Sequence, residues 1–157
     1  MADVLTSEQR RFNMSRIRGR NTKPELLLRR GLHARGLRFR LHRRDLPGRP
    51  DLVFPRFRTV VFVHGCFWHG HGCHLFTMPA TRPDFWKNKI ERNAERDSRA
   101  IAALRADGWR VLTVWECALR GRGRLDPAAV LQAVEQFLSG GAAATEIRGD
   151  RHGCRDH

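Results

Sequence analysis

The sequence has no apolar run near the roughly 18 residues that would cross a bilayer as a helix. Its start, MADVLTSEQRR, also lacks the apolar core of a secretory signal. Neither membrane insertion nor export is expected, and the chain reads as cytoplasmic. No internal repeat and no CxxC pair occur, so there is no standard zinc-finger spacing. Cysteine is scarce, at four residues. In a reducing compartment these serve as metal ligands or free thiols before they serve as disulfides. Acids are scarce too: 16 Asp and Glu face 30 Lys and Arg, a formal charge of +14. Such an excess on one domain attracts a polyanion, and nucleic acid is the commonest. Arg greatly outnumbers Lys, which also suits an Arg-rich genome, so charge alone settles little.

At 157 residues the chain has length for one core. Residues 1–20 read as a basic N-terminal helix or arm carrying Arg10, Arg11, Arg16 and Arg18 beside Phe12, Met14 and Ile17. Thr22, Pro24 and Glu25 form a helix start with capping-box spacing, and Gly36 supplies the stop. Leu37, Phe39 and Leu41 alternate with arginines, a half-buried strand. Leu52–Phe54 is a short strand, and the β-branched run Thr59–Val63 reads as the sheet's buried centre. Asp84 is expected to cap a long helix to Ala106 with Ile90, Ala94, Ile101 and Leu104 inward. Trp109–Trp115 is then a strand parallel to the central one, and Asp126-Pro127 opens a last helix to Leu138. Residues 21–139 thus form the main domain. Residues 140–157 show no periodic pattern and are expected to be disordered.

The stretch from His64 to Pro83 cannot be a regular element, so its order needs a cause. Cys66, His69, His71, Cys73 and His74 fall within nine residues, and zinc selects these ligand types. Cys117, at the end of the last strand, completes a closed Cys₃His set, which argues for a structural metal. The spacing does not choose among His69, His71 and His74. Asp51 opens a strand, where a carboxylate can hold a hard cation against phosphate, joined by the Val63 backbone carbonyl. Glu25, His64 and His69 complete a plausible hydrolytic set, although Asp51 and Glu25 also have structural explanations as turn and cap residues.

Leu46-Pro47-Gly48-Arg49-Pro50-Asp51, His64-Gly65-Cys66-Phe67-Trp68-His69, and Trp115-Glu116-Cys117-Ala118-Leu119-Arg120-Gly121 together resemble the very short patch repair (Vsr) DNA mismatch endonucleases, from about Asn13 to about Leu138. The resemblance implies an α/β, restriction-endonuclease-like central mixed sheet flanked by helices, with a structural zinc site. Phe62 and His64 stand where that superfamily's acid and lysine would be expected, so the generic mechanism does not transfer. The implied activity is Mg²⁺-dependent nicking on the 5′ side of the thymine in a T·G mismatch, starting repair of deaminated 5-methylcytosine. Asp51 corresponds to the metal-binding aspartate, His69 to the general base, and Glu25 and His64 to supports of metal-bound water and phosphate. Cys66, His71, Cys73 and Cys117 correspond to the Zn²⁺ ligands. Phe67, Trp68 and Trp86 are implied to wedge between base pairs, with Met14 from the other groove. Lys89 and Asn93 are implied to touch the mismatched pair, while Arg49 and Arg120 contact phosphates. The expected partner is double-stranded DNA with a T·G mismatch, with mismatch-repair proteins as further candidates. The expected state is a nucleoid-associated monomer. A mismatch-binding module without cleavage and a restriction nuclease that cuts perfectly paired DNA are the competing readings.

Overall fold

A computed structural model describes residues 22–71, 73, 77–140 and 144–150. The basic segment 1–20, Met14 within it, His74 and Cys154 lie outside the described residues. Helix α1 spans Lys23–Ala34, with the Thr22 side chain accepting from the Glu25 N–H at 3.4 Å. Then come β1 (Arg40–Leu41), β2 (Leu52–Phe54), a 3₁₀ turn at Pro55–Phe57 and β3 (Thr59–His64). The long helix α2 (Pro83–Ala106) leads to β4 (Arg110–Trp115), the single turn α3 (Glu116–Leu119), α4 (Pro127–Leu138) and β5 (Glu146–Ile147).

The five strands run in sequence order as one mixed sheet. β1 and β2 are antiparallel to their successors, whereas β3, β4 and β5 are mutually parallel. Side-chain alternation assigns the two faces. Leu52, Phe54, Val61, Leu112 and Val114 join Leu28 and Leu32 of α1 and Val130, Val134 and Phe137 of α4. Val53, Val60, Phe62 and Val111 turn the other way, onto Leu104 of α2 and Trp109. Helices therefore cover both faces, which is why β3 reads as a continuous apolar run.

Four details differ from the sequence expectations. The strand expected from Leu37 shrinks to Arg40–Leu41, because β2 offers only three residues and the ladder ends at Arg40↔Val53. Leu37 and Phe39 still pack on the core without pairing. Asp84 lies inside the first turn of α2 and does not cap it; Arg82, at φ 55°, holds that position. There the Asp84 charge complements the helix dipole. The inward stripe of α2 is Ile90, Ala100 and Leu104 with Ile101 packed beside them, but Ala94 is exposed, since the middle of the helix fronts a cleft and not the sheet. Finally, Glu146–Ile147 pairs parallel to β4 at Thr113↔Glu146 and Val114↔Ile147, so the disorder expected over 140–157 does not extend to this strand. Two residues are too short a stretch to show alternation in sequence.

Candidate active site and metal centres

A cleft of about 750 Å³ opens at the carboxyl end of β3. Its lining includes Glu25, Asp51, Val63, His64, His69 and Asp97. The fold brings these together from separate elements. The loop 42–51 ends on Asp51, whose Oδ2 accepts from the Val63 N–H at 2.6 Å, locking the carboxylate against the last turn of the central strand. Glu25 enters from the first turn of α1 and is almost fully buried. Its Oε2 lies 3.1 Å from Arg29 and 2.9 Å from His42 Nε2. Burial, and then the nearby Glu25 charge, pushes the Asp51 carboxyl up to about 7, with the Val63 N–H opposing the shift. Half-buried Asp51 and buried Glu25 bring ligand atoms within 4.8 Å of each other, an arrangement that could hold a cation.

His64 ends β3 and His69 follows in a turn, with their rings stacked flat, centroids 3.8 Å apart and planes 7° apart. Burial, then the His69 charge, holds His64 down to about 3, so it is neutral. His69 Nδ1 is bonded to Asp97 Oδ2 on α2. An acceptor at Nδ1 sets the tautomer and leaves Nε2 free to take a proton. Asp97 was missed in sequence because nothing in a charged helix distinguishes one solvent-side acid from another. The available signal was the spacing from Lys89 through Asn93 to Asp97, four apart, which places all three on one face. His42 was missed for a similar reason, as a histidine in an Arg-rich loop.

Cys66, His71, Cys73 and Cys117 form one cluster. Cys66 Sγ and Cys117 Sγ lie 3.5 and 3.6 Å from His71 Nδ1. Edges of about 3.5 Å are what a tetrahedral ion with ligands at about 2.0 to 2.3 Å requires, so the donor set fits a closed Cys₃His site. Hydrogen bonding to Cys117, then burial, pushes the Cys66 thiol far up, and only a cation would favour the thiolates here. His71 stacks on Trp115 at 4.2 Å and 10°. The Cys66 N–H donates to Glu116 Oε1 at 3.1 Å, and the Gly149 N–H donates to Cys117 Sγ at 3.2 Å.

Beside the cleft, Phe67, Trp68 and Trp86 pack edge-on, with centroids 5.1 to 5.8 Å apart. Asn93 Nδ2 donates to the Trp68 carbonyl at 2.9 Å and so fixes this aromatic ridge from α2. Lys89 is half-buried on the same helix. Arg120 lines the cleft and pairs with Glu116 at 2.8 Å. Arg49 is exposed at φ 50° in the loop leading to Asp51. Among the described residues, no helix is long and apolar enough to cross a membrane.

The family profile described as DNA mismatch endonuclease Vsr matches residues 2–75. The chain is 49% identical to the DNA mismatch endonuclease Vsr of Escherichia coli K12, covering 94% of each protein. It is 56% identical to the type II nicking enzyme V.XorIIP of Xanthomonas oryzae pv. oryzae, over 80% of this chain and 93% of that one. Identity to V.NmeAIP of Neisseria meningitidis is 42% over 78% and 87%, respectively.

Proposed function

The chain belongs to the Vsr family of DNA mismatch endonucleases and is a DNA endonuclease, and on that premise we propose that it nicks 5′ of the thymine in a T·G mismatch, the product of 5-methylcytosine deamination. The observation that carries this reading is the shared cleft of Asp51, Glu25, His64 and His69, with Asp97 behind His69. Half-buried Asp51 beside buried Glu25 suits a hard cation, and we assign it as Mg²⁺, held by Asp51 with the Val63 carbonyl and supported by Glu25. When bound, Mg²⁺ would offset negative charge on the phosphate and acidify a coordinated water. His69 Nε2 takes the proton of the attacking water, Asp97 holds the ring and favours the cation that forms, and neutral His64 keeps a second positive charge away. Water oxygen bonds to phosphorus, the bond to the leaving sugar oxygen breaks, and that oxygen takes up a proton.

Cys66, His71, Cys73 and Cys117 would hold a structural Zn²⁺. Zinc binding is worth about 10–16 kcal/mol in small domains, enough to order a loop with few apolar anchors. The mixed sheet, with its site at the start of β2 and the carboxyl end of β3, agrees with a restriction-endonuclease-like fold. Phe67, Trp68 and Trp86 replace base stacking lost beside the mismatch, and a wobble pair is cheaper to unstack than a matched one. Lys89 and Asn93 read the mismatched pair, with Met14 as a wedge from the other groove; Arg49 and Arg120 meet phosphates. The protein acts as a cytoplasmic, nucleoid-associated monomer, with mismatch-repair proteins as further partners.

The test is incubation of zinc-loaded protein and Mg²⁺ with duplexes bearing T·G or C·G at one site. Nicking of T·G alone is expected. Equal cutting of both duplexes, or of neither, overturns the reading.

A further inference from the structure

Against the two carboxylates at the acidic end of the cleft lies a residue that the mechanism above does not use. His42 sits between β1 and β2 with φ 46°, and its N–H donates to the Asp51 carbonyl at 3.2 Å. A left-handed histidine costs about 1 kcal/mol or more, and such strain persists where the surroundings impose it. Here the turn brings the imidazole between both carboxylates. Nε2 is 2.9 Å from Glu25 Oε2 and 3.8 Å from Asp51 Oδ1, and it is buried. It nevertheless makes no hydrogen bond. The 2.9 Å approach of Nε2 to the carboxylate oxygen is therefore a close contact without the alignment that a hydrogen bond needs.

Glu25 already has a cationic partner in Arg29, so charge balance does not by itself require His42. Ligands about 2.1 Å from a six-coordinate ion lie about 3 Å apart when adjacent and about 4 Å apart when opposite. The separations from His42 to the two carboxylates fall in that range. Asp51 Oδ1 is the oxygen turned toward His42, while Oδ2 is engaged by Val63.

Resting on the metal-dependent reading above, we infer that His42 Nε2 is a direct third ligand of the cation held by Asp51 and Glu25. A nitrogen donor tilts the site toward first-row transition ions over Mg²⁺, which prefers oxygen and retains its waters.

The experiment uses the zinc-loaded full chain with Mn²⁺ and reads binding and nitrogen hyperfine coupling by electron paramagnetic resonance. Wild type should show a directly bound nitrogen and bind Mn²⁺ about tenfold more tightly than Mg²⁺ in competition. His42→Gln should lose that coupling and the preference while still binding Mn²⁺, and Asp51→Asn should lose binding. Wild type without nitrogen coupling overturns the inference with no variant needed. Coupling that persists in His42→Gln overturns it as well, by assigning the nitrogen to another ring such as His69. If wild type binds neither Mn²⁺ nor Mg²⁺ at this site, the metal-dependent reading falls with it, whereas oxygen-only binding leaves that reading standing.

Discussion

The ring of His64 lies flat on that of His69, centroids 3.8 Å apart, while Asp97 binds the outer nitrogen of the pair. The stack fixes the plane of His69, and the carboxylate fixes its rotation and tautomer. A base held in this way needs no reorganisation before it takes a proton.

Replacing Asp97 with Asn keeps the shape but removes the charge and offers an amide N–H to Nδ1. We expect the single-turnover nicking rate to fall about a hundredfold or more, with duplex binding changed less than about twofold. Rates and binding measured on the same T·G duplex check this; a loss confined to binding would show that Asp97 only shapes the DNA surface.

Stability of the metal-free protein should carry two opposed pH limbs. Folded Asp51 keeps its proton up to about pH 7, whereas the unfolded chain releases it near 3.8. Stability from this group therefore falls as pH rises between those values. Folded His64 stays neutral down to about pH 3, whereas unfolded His64 gains a proton below 6.5, so its contribution rises with pH over that range. Asp51→Asn removes the first limb. Denaturant unfolding of metal-free protein should then show stability climbing from pH 4 to 6.5, and at pH 8 the variant should exceed wild type by up to about 4 kcal/mol. A variant less stable than wild type at pH 8 contradicts the assignment of Asp51 as an acid whose charged form the fold disfavours.

Much of this was legible in the chain. Thr59–Val63 announced a central strand because both of its faces are buried, and the Pro-Gly-Arg-Pro run before Asp51 announced a carboxylate delivered to a strand end. The Cys and His cluster was visible because those side chains are rare and were crowded into a loop. What stayed hidden depended on tertiary direction. Asp97 and His42 are common residue types in charged surroundings, and only the packing of α2 and the turn at His42 aim them inward. Ala94 misled because a helix that leaves the sheet to front a cleft keeps its period but loses its buried face. Asn93 drew notice only through the family resemblance, on the helix face that it shares with Lys89. Its bond to the Trp68 carbonyl was not legible, since a main-chain acceptor has no signature in sequence.

Cys117→Ser should lower bound zinc and thermal stability together. A serine oxygen is a poorer ligand than thiolate, and the loop from Cys66 to Cys73 would lose its tie to α3, the turn that follows β4. Elemental analysis paired with thermal unfolding measures both. Zinc content equal to wild type would remove Cys117 from the cluster.

Gly149→Ala tests the far end of the same cluster. A Cβ there would lie 2.4 Å from the Cys117 carbonyl oxygen and 2.6 Å from that of Gly123, both main-chain atoms that cannot swing away. We expect a loss of about 1–3 kcal/mol and faster zinc release to a chelator. Unchanged release kinetics would mean that the N–H to Cys117 contact has no hold on the metal.

That contact also fixes an order of events. During synthesis the loop carrying Cys66 and Cys73 leaves the ribosome well before Cys117, and Gly149 follows later still. The metal cluster can therefore be assembled only after most of the sheet exists, and its covering strand arrives last. A chain interrupted before residue 149 would carry every residue proposed for hydrolysis and all four residues of the Cys/His cluster, but Cys117 Sγ would lack the Gly149 N–H that it accepts in the finished fold.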